Sequence, residues 1–178
     1  LTVSGIIFAK PLIALLAPGF QAKPATYLLS INLTRIIFPA LVFMALSGLF
    51  SGMLNSYNIF LLPALSPTVW NLIIIAGIAL FAGKYGIYAF AVSLLAASIV
   101  QAAIQVPAFR ERLRYYRFDL DYRHPEVKRF FALLLPVILS SATSNINTIV
   151  DTRFASYLET GVVAAMGYAI RIYLVPAG

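Results

Sequence analysis

From Ile36 to Gly83 the chain runs for 48 residues without a charged side chain. As one helix this stretch would reach about 72 Å, while the hydrocarbon core of a bilayer is only ~30 Å thick. The run must therefore fold back. Turn formers lie in Asn55-Ser-Tyr-Asn58 and between Pro63 and Pro67, which predicts one span from about Arg35 to Leu54 and another from about Ser66 to Gly83. The rest of the chain has the same character. Hydrophobic residues make up 61% and charged residues 11%, against roughly 45–50% and ~25% in soluble domains. There is too little polar surface to coat a soluble domain, and the absence of cysteine excludes a disulfide scaffold. An integral membrane protein remains.

Two further uncharged runs are long enough to span, Tyr85 to Phe109 (25 residues) and Phe130 to Val150 (21 residues). The first follows the short turn Gly83-Lys84-Tyr85-Gly86. Two weaker spans lie at the ends: Leu1 to Ala17, which carries Lys10 beside Pro11, and Thr160 to Gly178, which carries Arg171. The Leu1 segment lacks a basic n-region and a small-residue cleavage site, so it reads as the tail of a span rather than a signal peptide. The expectation is an all-α polytopic membrane helix bundle of about six transmembrane helices, two of them truncated, as a piece of a larger transporter. β-barrel strands would be about 10 residues long and alternating in polarity.

Hydrophilic residues concentrate in one linker, 110–129, with seven basic residues (Arg110, Arg112, Arg114, Arg117, Arg123, Lys128, Arg129) and four acidic ones. It divides four spans in 1–109 from two in 130–178. The positive-inside rule places it in the cytoplasm. Counting back puts the Lys84 turn and the Gln21–Leu33 loop outside. The net charge of +7 is mainly this topological signal. Nucleic acid is a poor partner, since the basic residues sit at membrane edges without a binding module. His124 reads as a solvated loop residue.

Ionisable groups inside spans are expensive and mark function by default. Arg171 lies near the expected midplane of the last span. It cannot deprotonate, so it needs an anion or water, and its guanidinium suits phosphate oxygens. A structural ion pair with Asp151 is the competing reading. Asp151 also shares a helix face with Ser144 and Thr148, with Asn147 four residues before it, a set of oxygens that resembles a Na⁺ or H⁺ site. Plain polar helix contact is the bland alternative. Arg35 opens a span near its outer end, where snorkelling explains it; it is the second candidate for an anionic substrate. Arg153 and Glu159 form a plausible outer pair. Pro39, Pro107, Pro136 and Pro176 predict kinks or ends. Gly48 and Gly52 form a Gly-x-x-x-Gly pair, with Ser47 and Ser51 beside them, that predicts close helix packing. There is no phosphate loop, Cys/His cluster or nucleophile elbow, so an enzyme is not expected.

Several stretches, in order and spacing, resemble one family: Leu16-Ala-Pro-Gly-Phe20; Leu33-Thr-Arg-Ile-Ile-Phe-Pro39; Gly52-Met-Leu-Asn55 followed by Phe60-Leu-Leu-Pro-Ala-Leu-Ser-Pro67 and Asn71; Gln101-x-x-x-Gln105-x-Pro107; Asn147-Thr-Ile-Val-Asp-Thr-x-x-Ala-Ser156; and Tyr168-Ala-x-Arg171 followed by Pro176-x-Gly178. The chain is similar to the MurJ/MviN lipid II flippases of the multidrug/oligosaccharidyl-lipid/polysaccharide exporter superfamily. The resemblance implies the third to eighth of fourteen helices, with the linker joining two lobes. It implies alternating-access flipping of an undecaprenyl-pyrophosphate-linked peptidoglycan precursor across the bacterial inner membrane, for cell-wall synthesis. It assigns Arg171 to a cavity arginine that holds pyrophosphate and Asp151 to an acid of a Na⁺ site found in some members. The chain departs at Ile170, where the family commonly has Asp, and at Lys10, usually apolar. The other readings are another exporter, for drugs or polysaccharide lipids, and a non-transporting membrane remnant or scaffold. No cofactor is expected beyond a coupling Na⁺ or H⁺. The partners expected are membrane lipids, the anionic lipid-linked substrate and the remainder of the transporter.

Overall fold

In the computed structural model, which describes residues 2–109, 125–159 and 161–174, the chain is helical with no strand among those residues. The elements are α1 (Thr2–Ile7), α2 (Ala9–Leu16), α3 (Pro24–Ser56), α4 (Leu61–Tyr85), α5 (Ile87–Ala103), α6 (Pro125–Ala155) and α7 (Val162–Leu174), with 3-10 turns at Pro18–Ala22 and Val106–Phe109. Among the described residues, four stretches are long and apolar enough to cross a bilayer: Pro24–Ser56, Leu61–Tyr85, Ile87–Phe109 and Val127–Ala155. Between 0% and 33% of each is buried, so large apolar side chains point outward. That pattern suits a lipid solvent and confirms the all-α membrane bundle.

The prolines explain most boundaries. Proline cannot donate to the carbonyl four residues back, and its ring crowds that carbonyl. Pro11 therefore acts on Ile7, where α1 ends. The weak first span is two short helices rather than one. Pro107 acts on Ala103, where α5 ends. Pro24 opens α3 at a position whose amide has no intrahelical partner. Pro63 is tolerated in the first turn of α4 for the same reason. Pro39, Pro67 and Pro136 lie within continuous helices.

Three boundaries differ from expectation. The stretch 24–33, read as a loop, is the start of α3, which is 33 residues long. Pro63 to Pro67, read as part of a turn, is already helical. The reversal is confined to 57–60, where Asn58 takes φ 58°, a left-handed conformation that asparagine tolerates. The helix α6 begins at Pro125, inside the expected linker. The rest of the linker, 110–124 with His124, lies outside the described residues.

The chain divides into two compact units, one containing 2–9 and 29–109, the other 10–28 and 125–174. In the first, α4 and α5 form an antiparallel hairpin turned at Gly86, whose φ 54° and ψ −134° favour glycine. The helices touch where Gly77 meets the Ser93 side chain; a Cβ at Gly77 would collide with it. Buried Ala89 and Ala97 lie on the same side of α5 as Ser93, small side chains of the kind membrane helices use to approach closely.

A buried amide ties α3 to the end of α5. Gln105 is fully buried. Its Nε2 donates to Ser47 Oγ at 2.7 Å and to the Gln101 carbonyl at 3.1 Å, and its Oε1 accepts from Ser51 Oγ at 2.9 Å. Phe50 packs against Phe109, with ring centroids 5.4 Å apart and planes tilted by 50°. Gly48 and Gly52 point into open space. Of the stretch expected to pack closely, Ser47 and Ser51 make the contact, with buried Leu54 further along the helix, and the two glycines do not. Interhelical hydrogen bonds in membranes are worth roughly 0.6–1.7 kcal/mol each. Gln105→Leu removes two, so a melting temperature lower by several degrees is expected for the full-length protein in detergent.

Candidate functional site: the α6–α7 hairpin and its strap

The second unit is built on the reversal between α6 and α7. It turns through Ser156–Gly161, with Gly161 at φ 106° and the Ala165 amide bonded to the Gly161 carbonyl at 2.8 Å. The segment Ala17–Lys23 straps this turn. The Gly19 amide donates to Ser156 Oγ at 3.1 Å, and Ser156 Oγ donates to the Arg153 carbonyl at 2.7 Å. Lys23 Nζ donates to the Leu158 carbonyl at 2.9 Å. Gly19 lies against the Ser156 backbone so closely that a Cβ would strike it. Tyr27 donates to the Lys10 carbonyl at 3.3 Å and holds the strap's two ends together. Two segments that the charge rule puts on the same side of the membrane are thus in contact.

Below the turn, α6 and α7 splay around a cleft of about 700 Å³ lined by Asp151, Phe154, Ala155, Leu158 and, from α7, Val162, Ala165, Met166 and Ala169. Asp151 is the sole charged lining residue among the described residues. Asn147 and Thr148 lie on the same stripe of α6, one turn further from the reversal, by the 3.6-residue period. All three are exposed. Among the described residues, no three His, Cys, Asp or Glu side chains come together, so a cation at Asp151 would rely on amide, hydroxyl and carbonyl oxygens. A hard cation accepts such a set. The side chain of Ser144 lies outside the described residues.

Arg171 does not join this cleft. It follows Val162 by nine residues, about two and a half turns, which puts it on the opposite face of α7 from the lining residues. Among the described residues no ion pair links it to Asp151, nor Arg153 to Glu159. The i to i+20 ion pair considered for Arg171 fails because the helical phase turns the guanidinium away from α6. Arg171 is exposed, about 14 Å along α7 from Val162. Arg35, in the other unit, is also exposed. Because α3 starts at Pro24, Arg35 lies about 17 Å into its helix rather than at its opening. The strap was missed as a feature because nothing in Leu16-Ala-Pro-Gly-Phe20 names its partner 137 residues away.

The sequence profile described as lipid II flippase MurJ matches residues 1–178. The chain belongs to the lipid II flippase MurJ family. It is 32% identical over 182 residues to the lipid II flippase MurJ of Burkholderia cenocepacia, covering 99% of this chain and 35% of that protein. It is 35% identical over 169 residues to the probable lipid II flippase MurJ of Rhizobium meliloti, covering 92% of this chain and 31% of that protein. The Buchnera aphidicola protein from Acyrthosiphon pisum, also a probable lipid II flippase, is 32% identical over 180 residues. The chain spans about a third of the length of these relatives. Family membership and the four long apolar helices among the described residues together indicate a multi-pass membrane protein.

Proposed function

We propose that this segment serves a transporter that flips lipid II, an undecaprenyl-pyrophosphate-linked peptidoglycan precursor, across the bacterial inner membrane by alternating access. The observation that carries the reading is Arg171. It is a permanent cation within an apolar segment, on the face of its helix opposite the cleft that Asp151 lines. Such a group needs an anionic or wet partner, and a guanidinium fork fits pyrophosphate oxygens. Arg35 is the second candidate contact, since its place three turns into α3 weakens the snorkelling explanation. A drug exporter favours acids in its cavity, and Arg171 argues against that reading. The experiment is transport of labelled lipid II by the full-length protein in proteoliposomes.

Asp151, with Asn147 and Thr148, is proposed as the site of the coupling cation, Na⁺ or H⁺. In the full-length protein, Asp151→Asn should remove the dependence of flipping on a Na⁺ or H⁺ gradient, measured by collapsing each gradient in turn. A variant that keeps a wild-type gradient response would reduce Asp151 to a polar helix contact.

A further inference from the structure

The strap 17–23 is bonded within itself from end to end. The Ala17 amide donates to the Ile13 carbonyl at 2.9 Å, which carries α2 into the strap. The Phe20 amide donates to the Ala17 carbonyl at 3.1 Å and the Lys23 amide to the Phe20 carbonyl at 2.9 Å. The Tyr27 amide donates to the Lys23 carbonyl at 3.0 Å, which joins the strap to α3. The Tyr27 hydroxyl closes the base of the loop on the Lys10 carbonyl. Successive backbone bonds and a tied base make the strap a preformed body.

Its hold on the α6–α7 reversal is of another kind. It is made by a buried bond from the Gly19 amide to Ser156 Oγ and an exposed one from Lys23 Nζ to the Leu158 carbonyl. The buried residues of the two segments are the small Ala17, Gly19, Ala155 and Ser156, while Phe154, Tyr157 and Leu158 stay exposed. The contact therefore hides little apolar area, the main source of adhesion. The charge rule puts both segments on the outer side, where water competes for the exposed bond. Regions with few buried apolar contacts and exposed hydrogen bonds are the ones that open. The catch is also preset: Ser156 Oγ donates to the Arg153 carbonyl on its own helix, which leaves its lone pairs for the Gly19 amide.

We propose that the strap is a releasable latch. Docked, it fastens α2 and the first turn of α3 to the α6–α7 reversal; undocked as a body, it lets these segments part, and discharge of substrate to the outer side requires the undocked form. The inference rests on the alternating-access reading.

The test uses the full-length protein freed of other cysteines. Ala22→Cys with Glu159→Cys keeps both strap bonds, and spin labels there should report two distances in bilayers, a shorter docked one and a longer undocked one. Ser156→Ala removes the catch and should shift the ratio toward the longer distance about fivefold, the effect of roughly one hydrogen bond. Lys23→Cys joined to Leu158→Cys by a short reducible cross-linker should stop lipid II flipping, and reductant should restore it. A single short distance that Ser156→Ala leaves unchanged, or full flipping by the cross-linked protein, would overturn the latch. A parent protein that shows both distances and moves no lipid II would count against the flippase reading and support the latch.

Discussion

Replacing Arg171 with alanine in the full-length transporter should abolish lipid II flipping, and Arg171→Lys should largely do so. The two outcomes follow from different properties of the side chain. Alanine removes a permanent charge that has no partner among the described residues. Lysine keeps a charge but loses the planar fork that binds two phosphate oxygens at once. A charge-assisted hydrogen bond contributes roughly 1.5–3 kcal/mol, so loss of a two-pronged contact lowers occupancy by about ten- to a hundredfold or more. The measurement is complementation of a strain depleted of its own flippase, with membrane insertion checked by labelling of an introduced cysteine. A fully inserted Arg171→Ala protein that complements normally would remove Arg171 from the substrate path.

The largest structural effect is expected at Gly19. Gly19→Val places two methyl groups where the Ser156 carbonyl and the Tyr157 amide already stand. Backbone cannot rotate aside as a flexible side chain can, so the strap must lift. Overpacking of this kind costs about 1–3 kcal/mol, and lifting the strap also breaks the Gly19–Ser156 and Lys23–Leu158 hydrogen bonds. The segment contains no cysteine, so a cysteine pair at positions 23 and 158 reports the contact directly. The pair should cross-link on the native glycine background and fail to do so with Gly19→Val. Equal cross-linking in both would show that the strap does not need glycine.

Much of the fold was legible in the sequence, and the parts that were not share a cause. Charge spacing located the long spans because an unpaired charge in hydrocarbon is costly wherever it falls. Proline located the ends of α1 and α5 through a rule that acts over four residues. Packing partners were not legible. The Ser47-Gly48-Leu-Phe-Ser-Gly52 stretch marked a close approach that its serines make, while the tightest glycine approaches fall at Gly5, Gly19 and Gly77, whose partners are distant in sequence. Gln105 stood out only as part of a resemblance; its role depends on Ser47 and Ser51, which the chain brings to it through the α3–α5 packing. At the candidate site, the stripe of Asn147, Thr148 and Asp151 was readable from helical period. The separation of Arg171 from Asp151 was readable too, but depth alone was used, and phase decides it: residues at compatible depth on antiparallel helices still miss each other when one faces away.

The most direct test of the account is the cargo of the purified full-length protein. In proteoliposomes carrying labelled lipid II in one leaflet and a cationic dye in the lumen, the protein should move lipid II between leaflets and leave the dye where it is. Arg171→Ala should stop that movement. Export of the dye without movement of lipid II, by protein that is folded and inserted, would contradict the assignment of a pyrophosphate-linked lipid as the substrate.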